Sequence, residues 1–118
     1  MPQDPLQIID VPGHTTGQRI LRLTGPIMLT NLFQFQATVR ADASRLLILD
    51  MSNVPYVDSA GIGALVGAYV TCQKDGRTLA LVGVNDRVRT TLKITHVEKF
   101  FQFYTTVSEV ESAATGTH

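Results

Sequence analysis

Ser59 is the side chain whose type and surroundings point most directly to chemistry. It stands in Asp58-Ser59-Ala60-Gly61-Ile62-Gly63, downstream of the apolar run Leu46 to Leu49 and the segment Asp50 to Val57. A serine where a helix begins can accept a hydrogen bond from a free backbone N–H and lies in the positive field of the helix dipole. The plain role for such a residue is a helix cap. Two features add to it: Asp58 places an acid beside the hydroxyl, and Ala60, Gly61 and Gly63 leave little bulk around it, so another protein's backbone or a kinase cleft can approach. Ala60, Gly61, Ala64, Gly67 and Ala68 equally suit close packing of a helix on a sheet, the reading that fits Ala64 and Ala68 best.

Phosphorylation at Ser59 would add about −1.5 to −2 charges at pH 7. A helix N-terminus stabilises such a charge by about 0.3 to 1 kcal/mol in the free protein. Under a partner surface the same phosphate, beside Asp58, would have to be desolvated; a loss of about 1.4 kcal/mol already lowers affinity tenfold. Binding is expected to fail before folding does.

The other reactive side chains do not assemble into an enzyme. Hydrolysis by Ser59 would need a histidine base and an oxyanion site, and His96, after a helical pattern, suits a dipole-compensating role. Cys72 falls inside an apolar helix pattern that raises a thiol pKa. Asp50 at a strand end has the place of a phosphoaccepting aspartate, but holding Mg²⁺ takes further acids and the first strand offers Asp10 alone. Cys72, His14, His96 and His118 lack metal-ligand spacing. No catalytic residue, metal or cofactor is expected.

The chain that must position Ser59 has 118 residues, the length of one domain, with 44% hydrophobic and 17% charged residues. Ten basic and ten acidic residues cancel, so no broad field favours nucleic acid or an anionic membrane. The low charged fraction leaves apolar area for a partner. The single cysteine fits a reducing cytoplasm, the N-terminus does not look like a signal peptide, and the uncharged run Ala60 to Gln73 is too short to span a bilayer.

The pattern predicts strands over 7–11 and 19–23 joined by a turn at 12–17, then a helix capped by Thr30 and ending near Ala43, with Leu32, Phe33, Gln36, Val39 and Arg40 sorting onto apolar and polar faces. Leu46 to Leu49 reads as a central strand buried on both faces. A helix from Ser59 to Lys74 stops at Asp75-Gly76, and Leu79 to Val82 is another buried strand. Asn85 caps a helix carrying Val88 and Leu92, Phe101 to Tyr104 forms an edge strand, and Thr106 with Glu109 makes a capping box for a last helix. Residues 1–5 and 112–118 are expected to fray. The alternation predicts a single α/β domain over 1–118: a mixed, mostly parallel sheet with an N-terminal β-hairpin and helices packed against it.

Apolar strand, Asp-x-Ser, Asp-Ser-x-Gly and a glycine-rich helix, over Leu46 to Tyr69, resemble the STAS domain family, in particular the stand-alone bacterial anti-sigma factor antagonists. The resemblance extends through Leu23-Thr24-Gly25 and Ile94-Thr95-His96 to Tyr104. It implies a partner-switching regulator: the unphosphorylated chain binds an anti-sigma factor, often itself a serine kinase, and phosphorylation releases it, with the phosphoacceptor position falling on Ser59. The expected partner surface is Asp58, Ser59, Ala60, Gly61 and Ile62 with Asn53, Tyr56, Gly25 and Pro26; Asn53 also suits bracing the loop. Many antagonists of this family carry an acid near Gly25, where this chain has Pro26-Ile27-Met28-Leu29. The alternative is a STAS module that is never phosphorylated, acting as a scaffold or binding a small molecule or lipid.

Overall fold

The computed structural model describes residues 6–12 and 16–115. Strands β1 (Gln7–Pro12) and β2 (Gln18–Thr24) pair antiparallel, and β3 (Leu46–Asn53), β4 (Thr78–Val82) and β5 (Gln102–Tyr104) continue the sheet in parallel, in the order β1-β2-β3-β4-β5. Helices α1 (Leu32–Ala41), α2 (Ser59–Lys74), α3 (Asp86–Ile94) and α4 (Val107–Thr115) fill the connections and the C-terminal end. A 3-10 turn, Glu98–Phe100, precedes β5. The expected α/β domain with its opening hairpin is what forms; the tip of that hairpin, with His14, lies outside the described residues, as do 1–5 and 116–118.

Alternation along the strands divides the core in two. Leu21, Leu23, Leu47, Leu49, Met51 and Leu81 join Phe35 of α1, Leu65 of α2 and Leu92 of α3 in one cluster. On the other face Ile20, Ile48, Ala80 and Val82 pack with Val110 of α4. With helices on both faces, the middle of β3 loses all contact with water: Leu47, Ile48 and Leu49 are fully buried.

Helix ends follow their caps. Asn85 Oδ1 accepts from the Val88 N–H (2.8 Å), and Thr106 and Glu109 bond reciprocally, Oγ1 accepting from the Glu109 N–H and Oε1 from the Thr106 N–H, as the spacing predicts. Gly76 closes α2 at φ +69, where its N–H reaches the Gln73 carbonyl and the Arg77 N–H reaches that of Cys72. His96 does the same for α3 at φ +63, an exposed terminator.

Three expectations need correction. Asn31, not Thr30, precedes α1; its side chain spans the loop instead, accepting from the Met28 N–H (2.9 Å) and donating to the Pro26 carbonyl (2.9 Å). The helix stops at Ala41 because Asp42 turns extended, and its buried stripe is Leu32, Phe35 and Val39, which leaves Phe33 68% exposed. Ser112 and Ala113 belong to α4, which runs to Thr115.

Asp42, 2% exposed at its side chain, is the one buried acid among the described residues. Its carboxylate takes Arg77 Nη1 at 2.9 Å, Arg19 Nη1 at 3.3 Å and the Ser44 hydroxyl at 2.7 Å, tying the end of α1 to β2 and to the start of β4. Burial without such partners would cost several kcal/mol, roughly, for the ion alone. The Asp10 carboxylate, hydrogen-bonded to Arg19, pushes that guanidinium pKa upward.

Candidate functional site

Beyond the ends of β2 and β3 two loops are stitched together. The Gly25 N–H donates to the Asn53 carbonyl (3.0 Å), the Ile27 N–H to that of Tyr56 (3.3 Å) and the Asp58 N–H to that of Ile27 (3.2 Å). Ile27 and Val57 form an isolated parallel bridge. Gly25 turns the chain out of β2 at φ +108, a conformation that excludes most side chains. Gly61, in the first turn of α2, fits tightly below: a Cβ there would stand 2.1 Å from the Ile27 carbonyl oxygen.

Asp58 is the hinge pin of this arrangement. As N-cap of α2 it offers Oδ1 to the Gly61 N–H (2.7 Å), and its Oδ2 accepts from the Leu29 N–H (3.1 Å) across the loop boundary. A carboxylate has two oxygens and can satisfy both donors at once; a serine hydroxyl would reach one. The cap expected of Ser59 therefore falls to Asp58. Ser59 becomes the first residue of the helix, exposed, with its hydroxyl free of hydrogen bonds among the described residues. A modifying enzyme would meet a hydroxyl at the positive end of the α2 dipole, unspent on the fold.

The remaining predicted partner residues separate. Asn53 is exposed, and it braces the loop through its carbonyl. Tyr56 is half-buried, with the Arg87 guanidinium 4.7 Å from its ring centre. Ala60 is half-buried and Gly25 partly exposed. Pro26, Gly61 and Ile62 are buried and shape the platform. Behind the loop, Asn85 Nδ2 donates to the Val54 carbonyl (3.1 Å), so the residue that caps α3 also anchors the approach to Ser59. Asp50 closes its own turn by accepting from the Ser52 hydroxyl at 2.5 Å and from Arg22 Nε at 3.4 Å. Ser52 in turn lies against Gly83, where a Cβ would meet its Oγ at 2.4 Å.

Two contributors escape a reading by motif. Leu29 is 62% and Phe33 68% exposed, large apolar side chains at the same end of the fold as Ser59. The signal for Phe33 is its phase, one residue out of step with Leu32, Phe35 and Val39. The second is the outer face of α2, where Ser59, Gly63, Gly67 and Val70 recur at helical spacing, all exposed. A Cβ on Gly63 or Gly67 would meet nothing within 4 Å, so packing inside this chain does not call for glycine there.

Cys72 is 1% exposed, and desolvation raises its thiol pKa, away from nucleophilic use. Among the described residues no three His, Cys, Asp or Glu side chains gather as metal ligands, and no helix is long and apolar enough to cross a membrane.

Comparison with known proteins gives this geometry a setting. The chain is 33% identical over 57 residues to the anti-sigma-B factor antagonist of Staphylococcus aureus, covering 48% of this chain and 53% of that one. The match thus spans about half the length of the curated relative. An anti-sigma factor antagonist from Mycobacterium paratuberculosis has the same fold, with a TM-score of 0.78 at 20% identity over 92% of each chain. So does the antagonist SpoIIAA in its unphosphorylated form, with a TM-score of 0.74 at 17% identity over 96% of this chain and 98% of that one. The model of the STAS domain matches residues 9–110, from the hairpin into the last helix, and the chain belongs to the STAS domain family.

Proposed function

We propose that this protein is an anti-sigma factor antagonist that works by partner switching: with Ser59 unphosphorylated it binds an anti-sigma factor, and phosphorylation releases that factor. The observation that carries the reading is the division of labour at the start of α2, where Asp58 does all the capping and Ser59 is left exposed. A phosphate on Ser59 would disturb no hydrogen bond of the fold, and the neighbouring acid, Asp58, has both oxygens engaged by backbone N–H groups. In the complex that phosphate would be buried without a counter-charge, next to Asp58. The bare outer face at Gly63 and Gly67 supports the same reading, since glycine in a helix interior costs about 0.5 to 1 kcal/mol relative to alanine and a close-docking partner offsets that cost. The names of the relatives fit it.

The partner in this reading is an anti-sigma factor, of the kind that is often itself a serine kinase, or a related serine kinase, and the antagonist is a cytoplasmic, non-enzymatic regulator that binds no nucleic acid. Incubation with the cognate kinase and ATP tests it. A phosphoprotein that disappears in Ser59→Ala, together with loss of binding in Ser59→Asp, is the expected result. A Ser59→Asp protein that binds undiminished overturns it.

One observation favours a second reading, a STAS module holding a small molecule. An open cleft of about 790 Å³ lies at the β5 edge between Gly83, Phe103, Thr105 and Ser108, with the Arg89 guanidinium 3.7 Å above the Phe103 ring. Arg89 is already paired with Glu98, and Glu109 caps α4 there, so no unspent charge selects a ligand.

A further inference from the structure

The exposed Leu29 and Phe33 define what kind of surface must cover Ser59. Leu29 is tied to the switch by one hydrogen bond, its N–H donating to Asp58 Oδ2 at 3.1 Å, and Asp58 adjoins Ser59 in the chain. Phe33 follows in the first turn of α1, which packs beside α2. Within the fold neither side chain has a buried place, although a shift of Phe33 by one position would put an aromatic side chain into the core stripe. The exposed residues of the two loops and of the first turns of α1 and α2, Leu29, Thr30, Phe33, Gln34, Asn53, Ser59 and the bare Gly63, carry no charge; the exposed charges at this end, Asp86 and Arg87, belong to α3, with Arg87 over the Tyr56 ring. The one acid of those loops and turns, Asp58, is half-buried with both oxygens occupied by backbone N–H groups.

We infer that the anti-sigma factor is held here by an uncharged apolar pocket that takes in the Phe33 ring and the Leu29 side chain, flanking the seat of Ser59. The inference rests on the reading of Ser59 above and deepens it, because it names the chemistry by which the partner is selected. Electrostatic complementarity leads to the same occupant: a basic partner patch laid over Leu29 and Phe33 would find no free acid in the two loops or the first turns of α1 and α2, and its desolvation would count against binding. An aromatic side chain in a desolvated pocket is the kind of contact that dominates affinity, with the uncharged residues around it excluding water. Partner choice then resides in Phe33 and Leu29, and the on-off control in Ser59, on adjoining parts of one surface.

The test is calorimetric titration of the purified anti-sigma factors of the source organism against the whole chain and its Phe33→Ser, Leu29→Ser, Phe33→Leu and Ser59→Asp variants. Phe33→Ser and Leu29→Ser are expected to weaken binding by about tenfold or more, and Phe33→Leu by only about threefold. Unchanged urea midpoints would show that the fold is intact. Wild-type affinity should vary less than about threefold between roughly 0.05 and 0.5 M NaCl, because the contact at Phe33 and Leu29 that holds the partner makes no ion pair. If both serine variants bind like wild type while Ser59→Asp does not, the apolar pocket is wrong and the switch stands. If Ser59→Asp binds like wild type, the switch itself fails. A steep fall with salt overturns the uncharged pocket. So does a wild-type chain that dimerises through Phe33, which would assign the patch to a second copy. Failure of every anti-sigma factor to bind wild type overturns both readings.

Discussion

Gly61 and Ile27 touch so closely that a methyl group on the Gly61 α-carbon would stand 2.1 Å from the Ile27 carbonyl oxygen. That oxygen already accepts from the Asp58 N–H, so it cannot retreat without breaking the seam between the two loops. Gly61→Ala should therefore destabilise the protein by about 1 to 3 kcal/mol, the usual cost of overpacking. Gly63→Ala and Gly67→Ala, in the same helix, should stabilise it by about 0.5 to 1 kcal/mol each, since their Cβ atoms enter open space. Urea denaturation of the three variants checks the contrast; in a binding assay the two stabilised variants should be the weaker binders.

Asp58→Ala removes the N-cap of α2 and the clasp on Leu29 together. A loss of about 1 to 2 kcal/mol in unfolding free energy is expected, at the upper end of the range for a cap. Faster amide exchange at both Gly61 and Leu29 would show that one carboxylate holds the two segments.

Ser59→Asp should leave stability unchanged or raise it by about 0.3 to 1 kcal/mol, because a negative charge at the first helical position meets the positive end of the dipole. Partner affinity should fall by more than about tenfold. A melting curve and a titration on the same sample separate the two effects.

Asp42→Ala leaves Arg77, 7% exposed, without its buried counter-ion. The expected cost is about 3 to 5 kcal/mol, enough to threaten folding of a domain of this size. Chemical denaturation of Asp42→Ala against Asp42→Asn measures it, with the asparagine retaining part of the hydrogen bonding.

Burial raises the Cys72 thiol pKa in the folded chain above its unfolded value of about 8.5. The neutral thiol is the form the fold favours, so its contribution is complete below the unfolded pKa and is lost as pH rises through the higher folded value. Stability should decline in alkali above about pH 8.5, and less so in Cys72→Ala. Iodoacetamide at pH 8 should label the unfolded chain quickly and the native one slowly.

The elements were legible because each is carried by a local rule. The apolar run at Leu46 to Leu49, the caps at Asn85 and Thr106 and the glycine stop at Gly76 all depend on neighbours in sequence, and all form as predicted. What the sequence hid depends on contacts across the fold. Thr30 is as good a capping residue as Asn31 until the loop back to Pro26 is in place. Ser59 and Asp58 compete for one cap, and the Leu29 N–H decides it, 29 residues away. Gly61 and Gly63 look alike in the motif, and only the approach of Ile27 divides a packing glycine from a bare one. The Asp42 cluster joins three segments, and no spacing announces it.

The seam that runs from Gly25–Asn53 through Ile27–Tyr56 to Asp58–Leu29 makes the ground under Ser59 stiff. A covalent charge deposited there has no lever to pull. In the switch proposed above, information would pass through this molecule as a change of label on a fixed plate, read by whatever comes to rest on it, and the moving parts of the circuit would belong to the reader.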